Sequence, residues 1–259
     1  MTMSDRTPNL WSDPLTVVAE AGVLLLTSGA ETSRVEDTME RLAAAFGVPA
    51  QTMVMPTALF LHQAGGSTVM QRVRRRGTNL AVVELINAWS RDVAAGRLTL
   101  PGFAERLSAV SGYRRYPPAV EVAAAGVAAA LLAVLFGAGW RNMPFALMAG
   151  VIAQGLRAVL RAHAVSPGVT DFLGAMLAAL PALLDAGLGL GRGGAVLAGG
   201  LMVLVPGVMM TTGVRDGIAG DLLASVSRLL EAAVVAAAVA AGAALPLYLY
   251  ILGHGRWPV

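Results

Sequence analysis

Of the 259 residues, 56% are hydrophobic and only 14% charged, far below the roughly one quarter of charged residues in a soluble domain, so the composition is that of a membrane protein. The net charge of +3 comes from arginine alone, since the chain has no lysine; in a membrane protein this reports basic cytoplasmic loops rather than a nucleic-acid partner. The absence of Cys excludes disulfides and thiolate chemistry, His62, His163 and His254 are too scattered for a metal cluster, and neither metal nor cofactor is expected.

Residues from Met1 to about Asp13 are polar and lack the apolar core of a signal peptide, so the N-terminus is expected in the cytoplasm. From Pro14 a helix fits, with Leu15, Val18, Ala19, Gly22, Val23 and Leu26 on one face, ending near Ser28-Gly29. In the next segment Ser33 and Glu36 have capping-box spacing, Val35, Met39, Leu42 and Phe46 form an apolar stripe, and Gly47 is a helix stop. Glu36, Asp37, Glu40 and Arg41 occupy the opposite face, which reads as a solvated helix face.

From Ala50 the period shortens. Met53–Met55, Ala58–His62 and Ser67–Arg74 read as short strands, with Gly65-Gly66 as a turn. Arg72, Arg74, Arg75 and Arg76 form the densest basic cluster, either a solvated strand edge near the inner leaflet or a site for an anionic group. Helical spacing returns from Asn79 to about Gly96 and from Pro101 to about Ser111. Residues 1–116 are therefore expected to form a cytoplasmic α+β domain, closed by the interfacial run Tyr113-Arg114-Arg115-Tyr116-Pro117-Pro118.

Residues 117–259 are expected to be a transmembrane domain, with spans near 119–136, 143–160, 172–190, 195–210 and 229–252. The fold class is thus an α-helical polytopic membrane protein of about five transmembrane helices with an N-terminal cytoplasmic α+β domain. Arg114, Arg115, Arg157, Arg161, Arg215 and Arg228 fall on one side of those spans and Arg141, Arg192 and Arg256 on the other, which puts the C-terminus outside. An odd span number suggests half of a transporter built from paired repeats. Ala232, Ala236, Ala240 and Ala244 give the last span a small-residue face suited to close helix approach.

The stretch from Leu201 to Asp221 has no use in a simple anchor. Its apolar run is interrupted at Pro206-Gly207 and again at Gly213, then gathers Thr211, Thr212, Arg215, Asp216 and Asp221. Backbone broken at membrane depth is tolerated only where protein or a water-filled cavity satisfies it, so the stretch reads as part of a polar path; an ordinary kink exiting at Gly213 is the blander reading. Among other polar groups in the spans, Glu121, Gln154, Asp171, Arg228 and Glu231 call for partners or a function. Asp171 and Asp185, about four turns apart on one expected helix, share an inward face, and Asp185 is the best proton-accepting carboxylate. Arg157 suits an anionic group, with snorkelling to the inner surface as the alternative.

Two segments resemble the bacterial threonine/serine exporter family: Gly29-Ala-Glu-Thr-Ser-Arg-Val-Glu-Asp-Thr-Met39, and Val205-Pro-Gly-Val-Met-Met-Thr-Thr-Gly-Val-Arg-Asp-Gly-Ile-Ala-Gly-Asp-Leu-Leu223 followed by Arg228-Leu-Leu-Glu-Ala232. The resemblance implies the N-terminal half of a split exporter. It further implies secondary-active, ion-driven export of threonine and serine, or of a dicarboxylate such as succinate, across the inner membrane with a second, smaller membrane subunit. Glu31, Thr32, Arg34 and Glu36 then belong to the signature of the first domain, and Pro206, Gly207, Thr211, Arg215, Asp216, Gly220 and Asp221 to that of the membrane. Thr212 departs from the polar residue, often Asn, at that place in the family. With Asp185 or Asp216 as proton carrier, the expected function is a transporter and not an enzyme. The alternative is a membrane-tethered hydrolase-like enzyme using Glu31, Glu36 and Glu40, for which no nucleophile, Walker motif or zinc motif is present.

Overall fold

In the computed structural model, which describes residues 13–73, 77–110, 112–163 and 165–255, Asp13 caps α1 (Pro14–Thr27) by accepting the Thr16 N–H. Proline at the first helical position needs no backbone donor there, so the start is sharp. The helix is apolar on nearly every face, and at 14 residues it is too short to cross a bilayer. It is instead the centre of a core, with Val17, Val18, Ala19, Ala21, Leu25 and Leu26 wholly buried.

α2 (Thr32–Ala45) follows after a two-helix corner and buries the expected stripe of Val35, Met39 and Leu42. Phe46 stands at its C-cap and packs on the same core, and Gly47 takes φ +73° to end the helix. The expected capping box does not form. The N-cap is Glu31, without a side-chain cap bond, and Glu36 turns away to accept the Val54 N–H at 2.7 Å. The reason lies outside the helix: its first free N–H has found another carboxylate, described below.

β1 (Ala50–Met55), β2 (Ala58–Gln63) and β3 (Thr68–Arg72) make an antiparallel meander in that order. Val54, Leu59 and Leu61 face the core, whereas Met53, Phe60 and Met70 pair across the strands on the other face. Arg74, Arg75 and Arg76 of the basic cluster lie outside the described residues. α3 (Leu80–Ala94) is capped by Asn79, and α4 (Leu100–Val110) closes the core with Phe103 and Leu107.

The remaining helices are α5 (Pro118–Leu135), α6 (Met143–Ala162), α7 (Pro167–Ala178), α8 (Leu180–Gly187), α9 (Gly193–Met202), α10 (Gly207–Ile218) and α11 (Leu222–His254). Among the described residues, four helices are long and apolar enough to cross a membrane, with Pro167–Gly187 counted as one, or five if α9 and α10 form one broken span. The chain divides into two compact units: Met1–Arg115 with Val208–Leu229, and Tyr116–Gly207 with Leu230–Val259. The first unit thus takes in α10 and the opening of α11 along with the α+β elements.

In the second unit α6 packs on α5, α7, α8 and α9, and close approach is obtained with small residues. A Cβ on Gly150 would lie 2.6 Å from both the Ala125 carbonyl oxygen and the Ala129 Cβ. On the part of α11 that belongs to this unit the buried positions are Ala232, Val239, Gly242, Ala243 and Pro246, so the expected stripe of Ala232, Ala236, Ala240 and Ala244 is not the packed face; Ala236, Ala240 and Ala244 are exposed. Composition alone could not select between two faces that are both rich in alanine.

Gly150→Val is therefore expected to lower the thermal midpoint of the purified full chain sharply. Gly187→Ala, where an added Cβ meets nothing within 4 Å, is the matched control and is expected to leave it unchanged.

Candidate functional site

The two sequence signatures come together in the first unit. The corner between α1 and α2 is tight because Gly29 takes φ +89°, where a Cβ would stand 2.9 Å from the Gly77 carbonyl oxygen. That corner leaves the Ala30 carbonyl and the Thr32 N–H directed outward, and both are met from the α10–α11 region. Asp216 Oδ1 accepts the Thr32 N–H at 3.0 Å, and Arg228 Nη2 donates to the Ala30 carbonyl oxygen at 2.6 Å. Arg228 Nε and Asp216 Oδ2 are themselves 2.7 Å apart, with side chains 6% and 0% exposed. A carboxylate at a helix N-terminus is favoured by the free N–H groups and the helix dipole, so Asp216 acts as an N-cap supplied from a distant part of the chain.

The glycines of the second signature serve this packing. Gly213 does not interrupt the helix; it sits within α10, where an added Cβ would lie 3.1 to 3.2 Å from Leu229 and Arg228 side-chain atoms. The interruption comes at Gly220, with φ +95°, between α10 and α11. Around the buried pair lies a more open layer. Arg215 Nη1 reaches Glu31 Oε1 at 2.6 Å, and Arg34 approaches the other oxygen of Glu31 at 3.7 Å. Glu36 is held above the ordinary glutamate range, chiefly by burial, with the carboxylates of Asp221, Glu40 and Asp37 adding to the rise and the Val54 N–H opposing it. Thr212 is buried, and Thr211 is exposed with its hydroxyl donating to the Val208 carbonyl oxygen.

The second unit contains the break that the sequence marks at Pro206. α9 ends at Met202 and α10 starts at Gly207, leaving carbonyls between them without helical partners. Arg157 answers them. Its Nε and Nη2 donate to Asp171 Oδ1 at 3.0 and 2.7 Å, while Nη1 and Nη2 reach the Val203 and Leu204 carbonyl oxygens at 3.4 and 3.3 Å. Arg157 neither snorkels nor stands open to an anionic ligand; Asp171 and the broken backbone occupy it. Val203 also lines an open cleft of about 500 Å³, into which Glu121, Gln154 and Tyr116 contribute polar groups among alanines.

Asp171 and Asp185 do not share a site. The helix expected to carry both is interrupted at Ala179, and Asp185 on α8, 0% exposed, accepts the Asn142 Nδ2–H at 2.7 Å through Oδ1. Asn142 was not singled out by sequence reasoning. The available signal was its place just before Met143-Pro144, but that pattern announces a cap, and its side chain makes no cap bond on α6. Among the described residues, no group of three or more His, Asp or Glu side chains is arranged to hold a metal ion.

These features define a polytopic helical membrane protein with a broken span held by buried charge. The family model of the ThrE threonine/serine exporters matches residues 16–250, and the chain belongs to that family. A threonine/serine exporter of Corynebacterium glutamicum is 22% identical, covering 94% of this chain and 53% of its own length. The chain therefore spans about half the length of this curated relative. No solved structure matches.

Breaking the buried pair with Arg228→Met or Asp216→Asn should cost about 3–5 kcal/mol, because the partner is left as an uncompensated buried charge. Arg215→Ala, which removes an ion pair at the solvent-exposed surface, should cost far less. Chemical or thermal unfolding of the purified full chain compares them. A raised folded pKa means that Glu36 favours the folded state less as pH rises from the ordinary glutamate value through its folded one. Glu36→Gln is accordingly expected to raise the unfolding midpoint at neutral pH relative to acid and to flatten its pH dependence across that window.

Proposed function

We propose that this chain is a subunit of a secondary-active inner-membrane exporter of small hydrophilic metabolites, threonine and serine or a dicarboxylate such as succinate. The chain acts with a second, smaller membrane subunit. The N-terminal α+β elements face the cytoplasm and the C-terminus lies outside, following the distribution of arginines.

The observation that carries the reading is the meeting of the broken span with the cleft. Val203 belongs both to the unwound segment and to the cleft wall, beside Gln154 and Glu121. Discontinuous helices give a transporter free backbone groups with which to contact a hydrated solute while the surrounding helices stay apolar. The solute enters this cleft and meets Gln154, Glu121 and the backbone near Val203. The signature residues Thr211, Arg215, Asp216 and Asp221, with Glu31, Thr32, Arg34 and Glu36, act at the junction that holds α10 and the start of α11 against the α1–α2 corner. That junction transmits movement of α10 to the cytoplasmic elements.

Cells preloaded with labelled threonine, serine or succinate provide the test, comparing this chain alone, with a candidate partner, and with neither. Efflux of one solute that needs both chains and collapses with the proton gradient is expected. Absence of efflux for all three, with both chains inserted, would sink the proposal.

A further inference from the structure

We propose that Asp185 is the carboxylate that takes up the coupling proton of export, loaded from the end of the second unit marked by Trp140, Arg141 and Arg192. This rests on the exporter reading and adds to it the residue and the side from which the driving ion enters.

Two ion pairs outside the cleft are already closed: buried Asp216 with buried Arg228, and buried Asp171 with half-buried Arg157. Asp185 is different. It is wholly buried beside the apolar cluster of Ala182, Ala138, Ala146 and Val196, and the hydrogen-bond partner of its side chain among the described residues is an amide. The Gly139 N–H donates to Asn142 Oδ1 at 2.9 Å, which fixes the amide so that Nδ2 points at Asp185 Oδ1. Among the described residues Oδ2 has no hydrogen-bond partner and Asp185 forms no ion pair. A carboxylate oxygen left so in an apolar setting is satisfied when it takes a proton.

The charged groups on the elements packed against α8 are spoken for or lie elsewhere. On α6, Arg157 is bound to Asp171 of α7, both toward the far end of those helices; Arg161 follows one turn beyond Arg157. On the loop before α9, the Arg192 Nη1 lies 3.8 Å from where a Cβ on Gly137 would be, over the α5–α6 turn. Arg141, in that same turn, has its guanidinium 5.2 Å from the Trp140 ring centroid.

This turn also supplies the route. Asn142, the donor to Asp185, is buried and directly follows exposed Arg141 and Trp140, so the amide that holds the carboxylate is next in the chain to the exposed turn. A hydronium ion from the aqueous side transfers its proton to Oδ2: one O–H bond of the hydronium breaks, leaving water, as the O–H bond of the neutral carboxylic acid forms. In the orientation proposed above, this end faces outward, the side from which protons flow down their gradient while solute leaves. Asp216, the other carboxylate considered, is held by Arg228 and the Thr32 N–H and has a structural task.

Proteoliposomes holding the full chain and its partner test this with two assays: solute efflux driven by a pH gradient, and exchange of labelled for unlabelled solute without a gradient. Asp185→Asn, which keeps the size and the hydrogen-bonding shape, is expected to lose gradient-driven efflux and keep exchange. Gradient-driven efflux at the level of the unsubstituted protein would overturn the assignment. If Asp185→Asn does not insert, Asn142→Leu leaves the carboxylate and removes its donor, and it is expected to displace the pH profile of driven efflux. An unmoved profile would equally overturn it. Failure of the exporter reading is distinct: the unsubstituted protein with its partner would then show neither efflux nor exchange.

Discussion

The pair of Asp216 and Arg228 is the interaction on which the first unit depends. Burying two charges carries a desolvation penalty that their attraction offsets only when the remaining hydrogen-bonding capacity is also used. Here it is used on backbone: Asp216 takes the Thr32 N–H and Arg228 gives to the Ala30 carbonyl. The pair therefore fastens a corner in the N-terminal part of the chain to a helix corner 184 residues further on. Nothing apolar could replace it without orphaning both backbone groups, and that is the physical reason for placing charge in such a setting.

The second unit meets a similar problem with the same residue type. Interrupting a membrane helix at Val203 to Pro206 frees carbonyls that lipid cannot satisfy. A guanidinium offers five donors in a fixed fork and keeps its charge, so Arg157 can hold Asp171 and still reach two carbonyls. A lysine at either place would present three donors from one point and could not span these acceptors. The chain's use of arginine for all its basic groups is consistent with that demand at these two sites.

Asp185 follows a different rule. It has an oriented amide in place of a cation, and one oxygen without a partner. Asp171 and Asp216 thus close ion pairs, whereas Asp185 leaves one oxygen without a hydrogen-bond partner among the described residues. That chemistry sets Asp185 apart from the residues of the cleft beside Val203.

The sequence by itself determined what local periodicity and composition can encode. The stripe of Val35, Met39 and Leu42, the strand alternation around Val54, Leu59 and Leu61, the long apolar helices and the break at Pro206 are all legible, because each depends on residues within a few positions of one another. The candidate residues were legible too, since a charge in an apolar run stands out. Only the tertiary structure decided what each was for. Ser33 and Glu36 have the spacing of a capping box, yet the cap comes from Asp216; Gly213 looks like a helix breaker, yet it is a packing surface for Leu229 and Arg228. Asp171 and Asp185 are both buried, as an inward face requires, but one meets Arg157 and the other Asn142. These outcomes turn on which distant group arrives at an unsatisfied donor or acceptor, and chain separation carries no record of that.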